Sequence, residues 1–426
     1  MSGEADRAPA WTLYRPSQRW GFLGILFLAS ASSSIDRHVM SVLIEPIKAE
    51  FHASDTVMGL LGGFAFAALY ATLGLPVARF ADRGDRKLVI SAALAVWSIM
   101  TLLCGMARTL PELVLARVGV GAGEAGAMPP AQSLIADYFP PDQRARALGV
   151  FISSSTAGYL LAFTLGAWLA ATHGWRSAFV ALGAPGLLLC VLTLFGLREP
   201  RLRTQKDQRP QQESLRTTLA ALAGKRTFVL LCVATILYFL VAYGAVIWFP
   251  SYLVRVLHLD LVSVGAIFGA LGAVASLVGS VFGGLITDFA TRRGGAYAAR
   301  VPSLIMIGVV PFYELALFSN EPVLFYAASF VGAVGLSAAV PAFFTLLHRI
   351  CGSPRRSMAV AILFFFANLV GLGLGPVLTG VLSDHFSAAY GPVGLRYSLM
   401  IAFAALVLSG MALWAAATSV ERDTED

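Results

Sequence analysis

The sequence predicts an all-α membrane protein: twelve transmembrane helices in two pseudo-symmetric six-helix bundles. Three observations predict it. Apolar runs long enough to cross a bilayer fill most of the chain. Lys and Arg gather in alternate gaps between those runs. Motifs of the first half return in the second half in the same order.

Composition sets the class. Of 426 residues, 57% are hydrophobic and 13% charged, against a usual charged share of about 25%. The net charge of +7 does not point to nucleic acid, because the charges sit in short gaps rather than on one face or in a tail. Cys104, Cys190, Cys232 and Cys351 lie in separate apolar segments without ligand-like spacing. They read as small hydrophobes, so no metal, disulfide or cofactor is expected. The first apolar run is too long for a signal peptide and lacks a small-residue cleavage site behind it.

A membrane-spanning helix needs about 20 apolar residues. Such runs fall at residues 20–44, 56–80, 87–107, 111–136, 146–171 and 175–197, then 227–253, 261–287, 301–320, 322–347, 357–383 and 394–418. The expected organisation is a tail (1–19), a six-helix bundle (20–197), a basic linker (198–226), a second bundle (227–418) and a tail (419–426). Within the linker, residues 213–225 suit either a short amphipathic helix at the membrane surface or a disordered tether. Of the 31 Lys and Arg side chains, 24 fall in the tails, the linker and the gaps on that same side. This positive-inside bias places both termini in the cytoplasm, in an inner or plasma membrane.

The halves echo each other. Ala81-Asp82-Arg83-Gly84-Asp85-Arg86-Lys87 follows the second span, and Thr287-Asp288 with Arg292-Arg293 follows the eighth. The Pro140-Pro141-Asp142-Gln143-Arg144 loop after the fourth span matches Ser353-Pro354-Arg355-Arg356 after the tenth. The fifth and eleventh spans are both glycine-punctuated, and three echoes in matching order indicate duplication. Asp82, Arg83, Arg86, Asp288 and Arg292 are expected to form a cytoplasmic gate that latches the two halves. Gly149, Gly158 and Gly166 of the fifth span, with Gly371, Gly375 and Gly380 of the eleventh, are expected to permit close contact between halves.

These motifs resemble the major facilitator superfamily, over nearly the whole chain. The most specific carrier is the Asp82-Arg83-Gly84-Asp85-Arg86-Lys87 loop, although Ala78 replaces a usual glycine. Arg117 with Gly121 and Gly123, and Gly174-Trp175-Arg176 with Phe179, also carry it. The fifth span is similar to a glycine-rich antiporter motif, with Phe163 where that motif has proline. Within the superfamily, Ile35-Asp36-Arg37 through Leu43, followed by Met58-Gly59-Leu60-Leu61, resembles spinster-type proteins. That resemblance implies carriage of lysolipid or sphingoid-type solutes. An Asp-Arg pair in the first span also occurs in organic-anion carriers of the superfamily.

The residues themselves suggest a site. Asp36 and Arg37 stand inside the first span, where a charge costs about 2.5–3.5 kcal/mol on insertion scales and marks a functional position by default. At 1.5 Å per residue Asp36 lies about 24 Å along that span, and Arg117 about 9 Å into the fourth, from opposite ends. Their depths overlap. Glu124 lies two turns beyond Arg117 and nearer mid-membrane. Glu124, with Asp36 as partner, is the expected proton-coupling pair, and Arg37 or Arg117 the fork for an anionic group. His38 reads as a bystander or a relay. The second half lacks such charges, apart from Glu314 near a span end, and offers Tyr243, Trp248, Phe364 and Asn368 as substrate-facing groups. The expected function is a proton-coupled secondary transporter that moves an amphipathic anionic or lipid-like solute by alternating access. A symporter of a sugar acid or aromatic acid is the alternative, and a receptor a further one. No P-loop and no catalytic grouping support an ATPase or an enzyme. The expected partners are bilayer, solute and protons, the chain being a monomer.

Overall fold

The computed structural model describes residues 9–200 and 215–424. Those residues form an all-α fold without strands. Following the chain, α1 is Pro16–Phe51, and α2 is built from Asp55–Gly59, a π-turn at Leu60–Phe64 and Ala65–Arg83. Then come α3 (Arg86–Met106), α4 (Leu110–Glu124, resuming at Met128–Tyr138), α5 (Pro141–His173) and α6 (Trp175–Gly196). The second half opens with α7 (Arg226–Arg255), α8 (Leu261–Arg292) and α9 (Gly295–Phe318). One continuous run, Pro322–Phe366, holds α10 and the start of α11. Gly352, at φ 64°, separates them. Helix α11 continues through a π-turn at Ala367–Leu372 into Gly373–Tyr390, and α12 is Gly394–Ala416. Between the halves Leu215–Ala223 forms a short helix, within the stretch expected to be amphipathic.

Nine of the described helical runs are long and apolar enough to cross a membrane on those grounds alone. The shortfall from twelve has local causes. In α1 the stretch from Ser30 to Arg37 holds four serines and two charges, α4 breaks after Glu124, and α11 runs on into α12 as one stretch, Met358–Ala416.

The end of the bundle that carries both termini is called here the tail end, and the opposite one the far end. Tail-end arginines stack on interfacial tryptophans: Arg144 on Trp11, Arg146 on Trp20 and Arg300 on Trp414, each within about 5.5 Å of the ring centre. Cation–π pairs and aromatic belts of this kind mark a membrane–water boundary.

The halves meet along α2 against α11, α5 against α8 and α1 against α7. The first two contacts are equivalent under the pseudo-symmetry. Helices α2 and α11 touch where each carries its π-turn, a local geometry frequent at functional sites. Phe163, in place of the antiporter proline, presses against Gly265 and Gly269 of α8. The glycine expectation is corrected. Gly158 and Gly166 pack on α1 and Gly371 and Gly375 on α7, each within its own half, while Gly149 faces open space; of the six, Gly380 meets the other half, at Asp55.

Candidate functional site

Helix α1 turns one face toward α4 at mid-length. Glu124, at the break in α4, is 2% exposed. Its Oε2 accepts the Ser33 hydroxyl at 2.7 Å and the Arg37 guanidinium at 2.9 Å. A buried carboxylate needs such partners. Arg37 in turn lies over the rings of Phe66 and Tyr70, 5.4 and 5.0 Å from their centres. Tyr243 of α7, from the other half, is within electrostatic reach of Arg37. The expected first-half residues therefore do come together, and Tyr243 joins them.

Their pairing differs from the simplest reading of the sequence. Arg37 faces Glu124 and not its neighbour Asp36, because adjacent residues point about 100° apart on a helix. Arg117 does not reach Glu124. It donates to the Asp36 backbone carbonyl at 3.1 Å and lies over Phe66 at 5.7 Å. The Asp36 carboxylate is buried beside the Thr101 hydroxyl, and neither group makes a hydrogen bond of ordinary geometry. Ser33, Phe66 and Tyr70 escaped the sequence reading; four polar residues (Ser30, Ser32, Ser33, Ser34) in one span were the available signal.

Beside this cluster, between the halves, lies a cavity of about 320 Å³. Its walls are aromatic and small: Tyr238, Phe249, Phe268, Tyr313 and Phe330 from the second half, His38 and Tyr159 from the first. His38, read in the sequence as a bystander or a relay, lines this cavity. Its Nδ1 donates to the Ser34 carbonyl at 2.7 Å. A carbonyl only accepts, so Nδ1 carries a proton, and in the neutral ring Nε2 is an acceptor.

Two expectations are corrected, Trp248 as a substrate-facing group and Arg86 as part of the latch. Trp248 is fully buried, and its indole N–H donates to the Pro376 carbonyl at 2.9 Å; it braces α7 on α11 rather than facing a solute. Phe364 packs on Phe239 and Phe344, and Asn368 donates to the Phe364 carbonyl at 2.8 Å within the π-turn. The cytoplasmic latch is likewise not formed by Arg86. That side chain is fully buried inside the first half, where it binds both oxygens of Glu199, Asp137 at 2.8 Å and Ser133 at 2.8 Å. Asp288 and Arg292 are exposed, and the side chains of Asp82 and Arg83 lie outside the described ones. A buried arginine demands carboxylates close by, and Glu199, read in the sequence as part of the linker, supplies one.

A cluster of hydrogen bonds between halves sits instead at the far end. Arg255 of α7 binds Asp55 and Glu45 at 2.6 Å, and Asp384 of α11 accepts the backbone N–H groups of Asp55 and Thr56 at 2.8 Å. In the sequence these looked like ordinary loop charges.

Comparison with known proteins places this geometry. The family model described as Major Facilitator Superfamily matches residues 26–313. An MFS-type efflux pump of Mycolicibacterium smegmatis is 30% identical over 96% of this chain and 95% of its own. Protein spinster homolog 1 of Xenopus tropicalis is 28% identical over 94% of this chain and 80% of its own. A bacterial homolog of the human lysosomal transporter spinster, solved in an inward-facing and occupied conformation, has a TM-score of 0.88 at 29% identity, over 97% of this chain and 100% of that one. Fold, motifs and relatives agree: the chain belongs to the major facilitator superfamily and is spinster-like within it.

Proposed function

We propose that the chain is a secondary transporter that carries an amphipathic anionic or lipid-like solute by alternating access, coupled to protons through Glu124, with the tail end cytoplasmic. The observation that carries this reading is the pair of half-buried Arg37 with fully buried Glu124, set where the two halves meet. Ionised Glu124 occupies the guanidinium that would otherwise receive an anionic headgroup. Protonating Glu124 removes its charge and releases Arg37, whose planar fork suits a carboxylate or phosphate. Conversely, an anion arriving on Arg37 displaces Glu124, which then takes up a proton. Anion and proton binding thus favour each other, and linkage requires that the effect be reciprocal. Asp36, buried close by, is the second carboxylate of the coupling pair.

The apolar part of the solute fits the aromatic cavity beside His38. A head held at Arg37 and a body held among Tyr238, Phe249 and Phe268 describe one amphipathic molecule. The resemblance to spinster-type proteins supports the same class. The tail end is assigned to the cytoplasm by the Lys and Arg bias.

Flux into proteoliposomes tests the reading, with lysolipids and short organic acids as solutes at two pH gradients. Wild-type flux of a lysolipid should rise with an imposed gradient. Glu124→Gln should lose at least about tenfold of that gradient-driven component, equivalent to about 1.4 kcal/mol, while gradient-independent exchange persists. Equal gradient dependence in the two proteins would exclude coupling through Glu124. Inhibition by short sugar acids but not by long-chain amphiphiles would favour the organic-anion symporter, and binding without flux would favour a receptor.

A further inference from the structure

The cavity between the halves has apolar walls, yet it carries polar groups that the protein leaves unpaired. On α10, Tyr326 and Ser329 stand three residues apart and so share one helix face. Both line the cavity, and both hydroxyls are buried without a hydrogen-bond partner among the described residues. From the first half, α5 brings Tyr159 to the same cavity. Gly272 of α8 leaves room for the Tyr159 hydroxyl, which a Cβ there would strike. Tyr238 is the contrast, since its hydroxyl donates to the Leu336 carbonyl at 3.1 Å. An unbroken hydrocarbon in this cavity would seal the unpaired groups away from water, and a polar group left without a partner is costly to bury.

His38 is the most constrained of these groups. Its Nδ1–H is committed to the Ser34 carbonyl, one turn back on α1. That bond turns the Nδ1 edge toward its own helix and leaves the Nε2 side for the cavity that His38 lines. The Tyr159 ring meets the imidazole edge-to-face at 5.0 Å and holds it there. Tautomer and direction are thus both set, as a second partner on the other nitrogen usually sets them. No described donor reaches Nε2. A phenylalanine would fill the same space against Tyr159 without an unmet nitrogen, so packing alone does not account for a histidine. His38 also follows Arg37, about 100° further round the helix. Arg37 turns to Glu124 and His38 to the cavity, so the two can act on one molecule. An ammonium donor on that molecule would be repelled by the adjacent guanidinium. An uncharged hydroxyl would not.

We propose that His38 is a specificity-determining residue, and that the body of the solute carries an uncharged hydroxyl, of an alcohol or a phenol, which donates to His38 Nε2. This rests on the reading of Arg37 as the anion site. The hydroxyls of Tyr326 and Ser329 make the second-half wall receptive to further polar atoms of the same body. A plain alkyl or aryl body is the poorer fit, because it leaves Nε2 unmet. A site built to hydrogen-bond a group rejects the analogue lacking it more sharply than an apolar pocket rejects an extra methylene.

Two amphipathic acids that differ by one hydroxyl test this: phenylbutanoate and its para-hydroxy derivative. Their binding to the full chain in nanodiscs is followed by titration calorimetry, with empty nanodiscs as the blank. The wild type should bind the hydroxylated acid about tenfold more tightly, as expected for one hydrogen bond to an otherwise unmet buried group. His38→Phe should bring the ratio to within about twofold of unity by weakening the hydroxylated acid alone. Its unchanged affinity for phenylbutanoate shows that the site is intact. His38→Gln, whose side-chain oxygen accepts, should restore part of the preference. Arg37→Gln should weaken both acids together and keep their ratio. Equal binding of the two acids by the wild type would overturn the inference, as would a ratio that His38→Phe leaves unchanged. Wild-type affinity for both acids in Arg37→Gln would instead overturn the anion site and leave the hydroxyl preference standing. Binding of neither acid to the wild type would overturn both.

Discussion

The two halves share one pattern at the tail end and build it with different materials. In the first half Glu199, just after α6, accepts the backbone N–H of Arg86 at the start of α3 at 2.8 Å. In the second half Glu421, just after α12, accepts the backbone N–H of Gly295 at the start of α9 at 2.5 Å. Each carboxylate also holds an arginine. Arg86 and Glu199 are 0% and 2% exposed in their side chains, whereas Arg349 and Glu421 are 27% and 58% exposed. The same contrast holds at mid-membrane, where the first half buries Asp36, Arg117 and Glu124, with Arg37 half-buried on Glu124, and the second lines its cavity with rings. The first half is thus fixed by buried charge and the second by packing. That division suits a machine in which one half handles charge and the other an apolar body.

The contrast can be broken most directly at Glu199. Replacing one member of a buried pair leaves the other charge uncompensated, at a cost of about 3–5 kcal/mol. Glu199→Gln is expected at the lower end of that range, because Asp137 still reaches Arg86. Thermal unfolding in detergent should show a large fall in midpoint, and Arg86→Leu combined with Glu199→Leu should recover much of it. The corresponding change in the second half, Glu421→Gln, should cost no more than about 1 kcal/mol, as exposed pairs do. Equal losses in the two halves would refute the division.

Much of this was legible in the sequence, for physical reasons that also set the limit. Span length and charge sidedness follow from the bilayer, so the all-α fold and the six-plus-six arrangement could be read from hydropathy. Depth along a helix is also local arithmetic, and it placed Arg117 beside Asp36. Rotation about the helix axis is not local. It decides that Arg37, and not Arg117, reaches Glu124, and that Arg86 turns inward to Glu199 rather than across to the other half. Trp248 shows the same limit: an aromatic at a plausible depth proved to be a brace, its N–H already used by Pro376. The far-end cluster was missed because Asp55 and Arg255 sit in short gaps, where charges usually set topology and nothing more. Asp55 is distinguished by its burial, which no local pattern records.

The smallest expected effect sharpens the comparison at the second half's other carboxylate cap. Asp423 lies outside the membrane helices and accepts the backbone N–H of Thr227, at the start of α7, at 2.8 Å. Burial alone would raise its pKa, but the Thr227 hydrogen bonds and Arg422 hold it below the ordinary carboxylate value. A group whose pKa is depressed on folding stabilises the fold above its unfolded pKa, about 3.9 for Asp, and loses that contribution as pH falls through the folded value. Asp423→Asn should therefore cost about 1 kcal/mol at neutral pH, the usual size of a lost cap. The gap between wild type and variant should stay constant from pH 8 to about pH 5 and close below about pH 4. Melting curves across that range would show it. A gap that widens on acidification would mean that Asp423 is held in its protonated form, and that the cap of α7 is not made by a carboxylate.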